Sequence, residues 1–181
     1  MERARSHSDD LLAAQGGDQA AFERLVRAHL DAVYAHALRF FGEKTAAEDA
    51  TQEVFLRVYR CLDSFDGRSN FSTWLFRVTR NVCVDMFRSS KRRPLPIDPS
   101  DIQGGSTPDV ADAAAARVEL ERAMRSLPPE DRDAFNAVAL FGLAYAEAAT
   151  VLGVPAGTVK SRVFRARRAL ATLLGFTKGV A

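Results

Sequence analysis

The sequence predicts an all-α protein: two small helical domains joined by a flexible linker, the C-terminal one containing a helix-turn-helix. Three observations carry this. Apolar residues recur at three- and four-residue steps through most of the 181 residues, and strand-like alternation of useful length is absent. Residues 93–112 break every periodicity. They set Pro94, Pro96, Pro99, Pro108, Gly104 and Gly105 among Asp98, Asp101 and Asp109, as an extended acidic linker does. Finally, Gly142–Leu170 reads as two short helices around a tight turn, the second loaded with arginine.

Taken in order, residues 1–17 read as an N-terminal tail and residues 18–92 as the first domain. Its first helix runs near Asp18 to Phe41, with Phe22, Leu25, Val26, Leu30, Val33, Ala37 and Phe41 as the inner stripe, and Gly42 ends it. Thr45, with Glu48 three residues on, predicts a capping box for a second helix that turns Ala50, Val54, Val58 and Leu62 inward. A loop, Asp63 to Asn70, precedes a third helix from Phe71 or Ser72 that packs Trp74, Leu75, Val78 and Val82. The second domain spans residues 113–175. It opens with helices over Ala113–Ser126 and Glu130–Phe141, broken at Pro128-Pro129, with Leu120, Met124, Phe135 and Val138 as packing residues. Residues 176–181 read as a tail.

The helix-turn-helix can be followed residue by residue. Its first helix covers about Tyr145 to Leu152, with Ala148, Ala149 and Leu152 inward. Gly153 can take the left-handed conformation that ends it, and Pro155 is tolerated in the first turn of the next helix. In that helix Val159, Val163, Ala166, Leu170 and Leu174 form one apolar stripe. Ser161, Phe164, Arg165 and Arg168 then fall on the opposite face, flanked by Lys160, Arg162 and Arg167. Gly157 lets a phosphate approach the backbone at the helix N-terminus. A solvated arginine face would explain the charge, but neither the small-residue helix before it nor an outward Phe164, which suits a thymine methyl.

Composition narrows the function. The chain is 47% hydrophobic, enough for packed cores, and its formal net charge is only +2, so basic surfaces must be located one by one. No apolar run is long enough to cross a membrane, and the N-terminus MERARSHSDD has no apolar core to make it a secretory signal. Cys61 and Cys83 stand in no CxxC spacing and read as buried reduced thiols of a cytosolic protein, with a disulfide as the alternative. The three histidines form no ExxH or HExxH pattern, so neither a metal site nor a cofactor is expected.

Three constellations in the first domain carry chemistry. Asp49, Gln52 and Glu53 share a helix face opposite Val54 and Val58; it suits a basic partner helix, or is an ordinary solvated face. Phe71 to Asn81 mixes Trp74 and Phe76 with Arg77 and Arg80, a pattern that suits single-stranded DNA, although Trp74 and Phe71 also read as core. Arg88, Lys91, Arg92 and Arg93 end that helix as a run suited to phosphates.

DATQEVF at Asp49–Phe55, STWLFRVTRN at Ser72–Asn81 and GTVKSRVFRARRAL at Gly157–Leu170 together resemble the extracytoplasmic-function (ECF) sigma factors of bacterial RNA polymerase, in family order, with a linker where the family has one. The resemblance covers about Asp18 to Leu174. It implies that Asp49, Gln52, Glu53 and Phe55 bind the polymerase core. It implies that the loop bearing Ser64, Phe65 and Asn70, with Trp74, Arg77, Arg80, Asn81, Arg88 and Arg92, melts and holds the −10 element. It implies that Thr158, Lys160, Ser161, Arg162, Phe164, Arg165 and Arg168 read the −35 element. Its further implications are a cytoplasmic, non-enzymatic, stress-responsive transcription factor whose partners are polymerase core, promoter DNA and an anti-sigma factor. Two positions depart from the family pattern: Ala144 where Ser or Thr usually caps the first helix of the helix-turn-helix, and Ala148 where Ile is common.

Two other readings compete. A stand-alone helix-turn-helix regulator with a helical sensor domain would leave the Asp49-Gln52-Glu53 face without a purpose. A helical enzyme built on Glu48, Asp49 and Glu53 would lack a histidine or cysteine partner.

Overall fold

A computed structural model describes residues 2–92 and 108–175, with side chains over 8–90, at 116 and over 118–175. Eight α-helices are found among the described residues: α1 (Glu2–Gln15), α2 (Gln19–Phe41), α3 (Lys44–Cys61), α4 (Phe71–Arg92), α5 (Pro108–Ser126), α6 (Pro129–Ala139), α7 (Tyr145–Leu152) and α8 (Ala156–Leu173). A single 3-10 turn, Leu62–Ser64, follows α3. No strand occurs among the described residues.

Local chemistry sets the ends of several helices. The Asp18 carboxylate accepts from the Ala21 N–H and caps α2. Gly42 and Gly153 both adopt left-handed backbone, φ 77° and 68°, and close α2 and α7. The start of α3 differs from expectation. The helix begins at Lys44, and its N-cap, Glu43, makes no side-chain cap, so Thr45 lies inside the helix instead of capping it. At α7, Ala144 has no oxygen to offer the helix, but Glu147 Oε2 reaches back 2.8 Å to accept from the Ala144 N–H. Half of a capping box therefore survives the missing hydroxyl.

Two described segments outside the expected domains are helical. Residues 2–15, expected as a tail, are α1, whose Leu11 and Ala14 pack against the core. Gln15 Nε2 donates to the carbonyls of Leu62 (3.0 Å) and Phe65 (2.9 Å), tying α1 to the loop before α4. Helix α5 starts at Pro108, inside the expected linker; residues 93–107 and 176–181 lie outside the described residues.

The two halves do not stand apart. One apolar core runs through Val33, Val54, Val58, Leu75, Phe76 and Val82 of the first half into Ala134, Ala137, Phe141, Ala148, Val159 and Val163 of the second. At the seam the rings of Phe76 and Phe141 lie 5.1 Å apart, and His36 meets both. Polar groups lock the same seam. Arg39 donates through Nε to both oxygens of Glu121 (3.1 and 3.2 Å) and through Nη1 to Asn136 Oδ1 at 2.9 Å. Asn136 in turn bonds His36 Nδ1 at 3.3 Å, and Arg125 Nη1 donates to the Gly42 carbonyl at 2.7 Å.

Candidate nucleic-acid and partner interfaces

The first face is on α3. Ala50, Val54 and Val58 are buried, which turns Asp49 and Gln52 to solvent. Glu53 is half-buried and accepts from Arg57 Nη2 at 3.2 Å; Arg57 Nη1 donates to Asp85 on α4. Phe55 is only partly buried, against the core. Sequence reasoning missed Leu56 and Tyr59, both exposed beside Asp49 and Gln52. The signal was present: both fall outside the Ala50–Val54–Val58 stripe, at three- and four-residue steps from Gln52. A face that mixes acids with exposed large apolar side chains can bury them against a protein partner.

The second face is on α4 and the loop before it. Arg77, Asn81 and Arg88 recur at i, i+4 and i+11, all exposed, and make a polar stripe along the helix. Other residues expected here are engaged elsewhere. Phe65 is buried, with its ring edge-on to Phe71 (5.9 Å) and Trp74 (5.6 Å), so it braces the loop and little of it is open to a base. Trp74 is partly buried in the same cluster. Arg80 Nε donates to Asp133 Oδ2 at 3.1 Å, and Asn70 Nδ2 to Glu147 Oε1 at 2.6 Å, so both are tied to the C-terminal half. Ser64 Oγ donates to the Cys61 carbonyl at 2.6 Å. The side chains of Lys91 and Arg92, and all of Arg93, lie outside the described residues. A concavity of about 490 Å³ opens where the loop meets α1 and the start of α7, lined among others by Leu11, Phe65, Asn70, Phe71, Leu143 and Glu147.

The third face is on α8. Val159, Val163, Ala166 and Leu170 are buried as the period requires, and Lys160, Ser161, Phe164, Arg165 and Arg168 are exposed on the other side. Thr158 and Arg162 flank them, partly buried. Phe164 is 58% exposed, a large ring held in water. It borders, with Lys160, Ser161 and Arg165, a concavity of about 300 Å³. Arg165 is not a free cation. Its Nε donates to Asp131 Oδ2 at 2.9 Å and its Nη2 to Asp131 Oδ1 at 2.6 Å, and these hydrogen bonds raise the guanidinium pKa above its usual value.

The thiols divide. Cys83 is buried, and burial pushes its pKa up to about 12, whereas Cys61 lies exposed, contrary to the expectation that both are interior. Among the described residues no group of His, Cys, Asp or Glu could hold a metal, and no described helix is long and apolar enough to cross a membrane.

Comparison with known proteins places these faces in a family. Residues 25–93 match Sigma-70 region 2, and residues 117–170 match Sigma-70, region 4. The ECF RNA polymerase sigma factor SigM of Mycobacterium tuberculosis is 37% identical over 95% of this chain and 86% of its own length. The ECF RNA polymerase sigma factor SigE of Mycolicibacterium smegmatis is 38% identical over 85% of this chain, a match that spans 63% of that longer protein. Among solved structures, the sigma factor RpoE of Bartonella quintana, in complex with the anti-sigma factor NepR, superposes with a TM-score of 0.68 at 27% identity, covering 87% of this chain and 98% of that one. Sequence, fold and the order of the two matched regions agree: the chain belongs to the ECF RNA polymerase sigma factors.

Proposed function

We propose that this protein recruits RNA polymerase core through the α3 face, opens the −10 element with α4 and the loop before it, and reads the −35 element with α8. The observation that carries the reading is the exposure of three polar faces on three helices, each opposite a buried apolar stripe. Core binding would use Asp49, Gln52, Glu53 and Phe55, with Leu56 and Tyr59 adding apolar contact. The −10 strand would meet Arg77, Asn81 and Arg88 first, and Asn70 and Arg80 once their bonds to Glu147 and Asp133 are released. The −35 duplex would meet Lys160, Ser161, Phe164, Arg165 and Arg168, with Thr158 and Arg162 at the margin.

On this reading the protein acts in the cytoplasm, is not itself an enzyme, and responds to a stress signal. An anti-sigma factor is the expected regulator. The packed seam supports this, because a partner that bridges both halves would hold Arg80 and Asn70 away from DNA.

The test is reconstitution with purified polymerase core. Wild type should co-purify with core and support transcription from a promoter enriched from a genomic library. Asp49→Lys should lose most core at unchanged melting temperature, since unpairing an interfacial charge costs about 2–5 kcal/mol. Wild-type recovery of core by Asp49→Lys would remove the α3 assignment. A wild-type chain that binds duplex DNA alone, as a dimer, would favour a stand-alone regulator instead.

A further inference from the structure

We infer that Asp131 is a positioning residue that orients Arg165 to read a guanine edge in the −35 major groove. The inference rests on the reading of α8 as the −35 helix and names how one base there is chosen.

Asp131 sits in the first turn of α6, and its side chain is only 6% exposed, whereas Arg165 on α8 is 56% exposed. The buried carboxylate takes the side of the guanidinium, Nε and Nη2, at 2.9 and 2.6 Å. A guanidinium carries five N–H donors in a rigid plane. Two are spent on Asp131. The pair at the far end, one on Nη1 and the second on Nη2, is parallel and is used by neither oxygen of Asp131. Two parallel donors are what guanine offers O6 and N7 to receive. Arg165 also lines an open concavity with Lys160, Ser161 and Phe164.

The alternative use of an exposed arginine, holding phosphate, gains nothing from this arrangement. A phosphate contact tolerates a swinging side chain, and a neighbouring carboxylate weakens it by repulsion. A carboxylate fixed in the protein interior makes sense where direction matters more than charge. Asp131 also holds the guanidinium plane before DNA arrives, so less side-chain freedom is lost on binding.

The experiment uses the full chain loaded on polymerase core and a duplex pool with a randomised upstream element, from which the wild type selects its preferred sequence. Single-base variants of that duplex then locate the base pair at which Arg165→Ala relaxes preference. Asp131→Asn should relax preference at the same base pair by about tenfold while other positions keep their discrimination. It also removes a negative charge, so affinity for unrelated duplex should hold or rise. Arg165→Lys keeps the charge and loses the fork, so it should lose the same base preference. Adding Asp131→Asn to Arg165→Lys should then cost no further discrimination.

The inference is overturned if Asp131→Asn keeps full discrimination at the Arg165 base pair. It is overturned equally if Arg165→Ala weakens every duplex alike and lowers the salt slope by about one, the signature of a phosphate contact. Should Asp131→Asn fail to fold, Arg165→Lys decides alone: retained discrimination overturns the inference. Failure of the wild type to enrich any sequence would instead sink the −35 reading on which the inference stands.

Discussion

Removing the Glu121 carboxylate should open the seam between the two halves. Arg39 on α2 has a side chain only 6% exposed, and its partner Glu121 on α5 is 12% exposed. Glu121→Ala takes the carboxylate partner away from the buried Arg39 and leaves its bond to Asn136 Oδ1 in place. Breaking a buried pair by deleting one partner typically costs about 3–5 kcal/mol. Here the molecule has a cheaper escape than unfolding. Arg39 and Glu121 lie 82 residues apart, on opposite halves, so separation of the halves rehydrates the arginine. The cost should therefore appear in the closed-to-open ratio, and about 3 kcal/mol changes that ratio roughly a hundredfold. Cys61 is exposed while Cys83 is buried, with its thiol pushed up to about 12. A donor on Cys61 and an acceptor on Thr172→Cys in α8 would report the distance by single-molecule energy transfer. Wild type should populate one compact state, and Glu121→Ala a second, longer one. Arg39→Met with Glu121→Met should restore the compact state, because an apolar pair needs no counter-charge. An unchanged distance distribution in Glu121→Ala, with the melting temperature also unchanged, would refute the claim that this ion pair holds the halves together.

Two further outcomes are expected. Burial lowers the His36 pKa from 6.5 to about 4, so the fold favours the neutral ring; stability should be complete above pH 6.5 and fall as the pH drops toward 4, by about 3 kcal/mol, and urea titrations of His36→Leu should show a flatter dependence over that window. Gly153→Ala should cost about 1–2 kcal/mol in chemical denaturation, because φ is 68° there while the added methyl meets no atom within 4 Å, so the loss is purely conformational.

Local order was legible in the sequence. The bounds of α7, the left-handed glycines at 42 and 153, and the buried stripe of α8 all follow from short-range periodicity and backbone sterics, and the structure has them where the sequence put them. Helix α1 was not legible. Its first ten residues are largely polar, and its place is fixed by Leu11 and Ala14 packing on the core and by Gln15 reaching carbonyls 47 and 50 residues away. The exposure of Leu56 and Tyr59 could have been read from their angles on α3, since nothing in the Ala50–Val54–Val58 stripe covers them. The pairing of Arg165 with Asp131 could not, because the two are 34 residues apart and periodicity says only that Arg165 faces outward. What lies across from an outward side chain is decided by tertiary packing.

The long-range pairs share a consequence. On the proposed reading, Arg80 and Asn70 are DNA contacts of the first half, yet here they satisfy Asp133 and Glu147 of the second. One guanidinium or amide cannot serve a carboxylate and a DNA strand with the same donors. The closed seam and the opened promoter therefore compete for the Arg80 Nε donor and for the Asn70 amide donor held by Glu147. By mass action, affinity for the −10 strand is reduced by the fraction of molecules that stay closed. A polymerase core that held the halves apart would remove that reduction, and a partner that bridged them would deepen it. The acids that make this competition, Asp133 and Glu147, belong to the half proposed to read the other promoter element. On the proposed reading the two DNA-binding functions would be coupled through one interface, with no contact between their DNA-facing surfaces required.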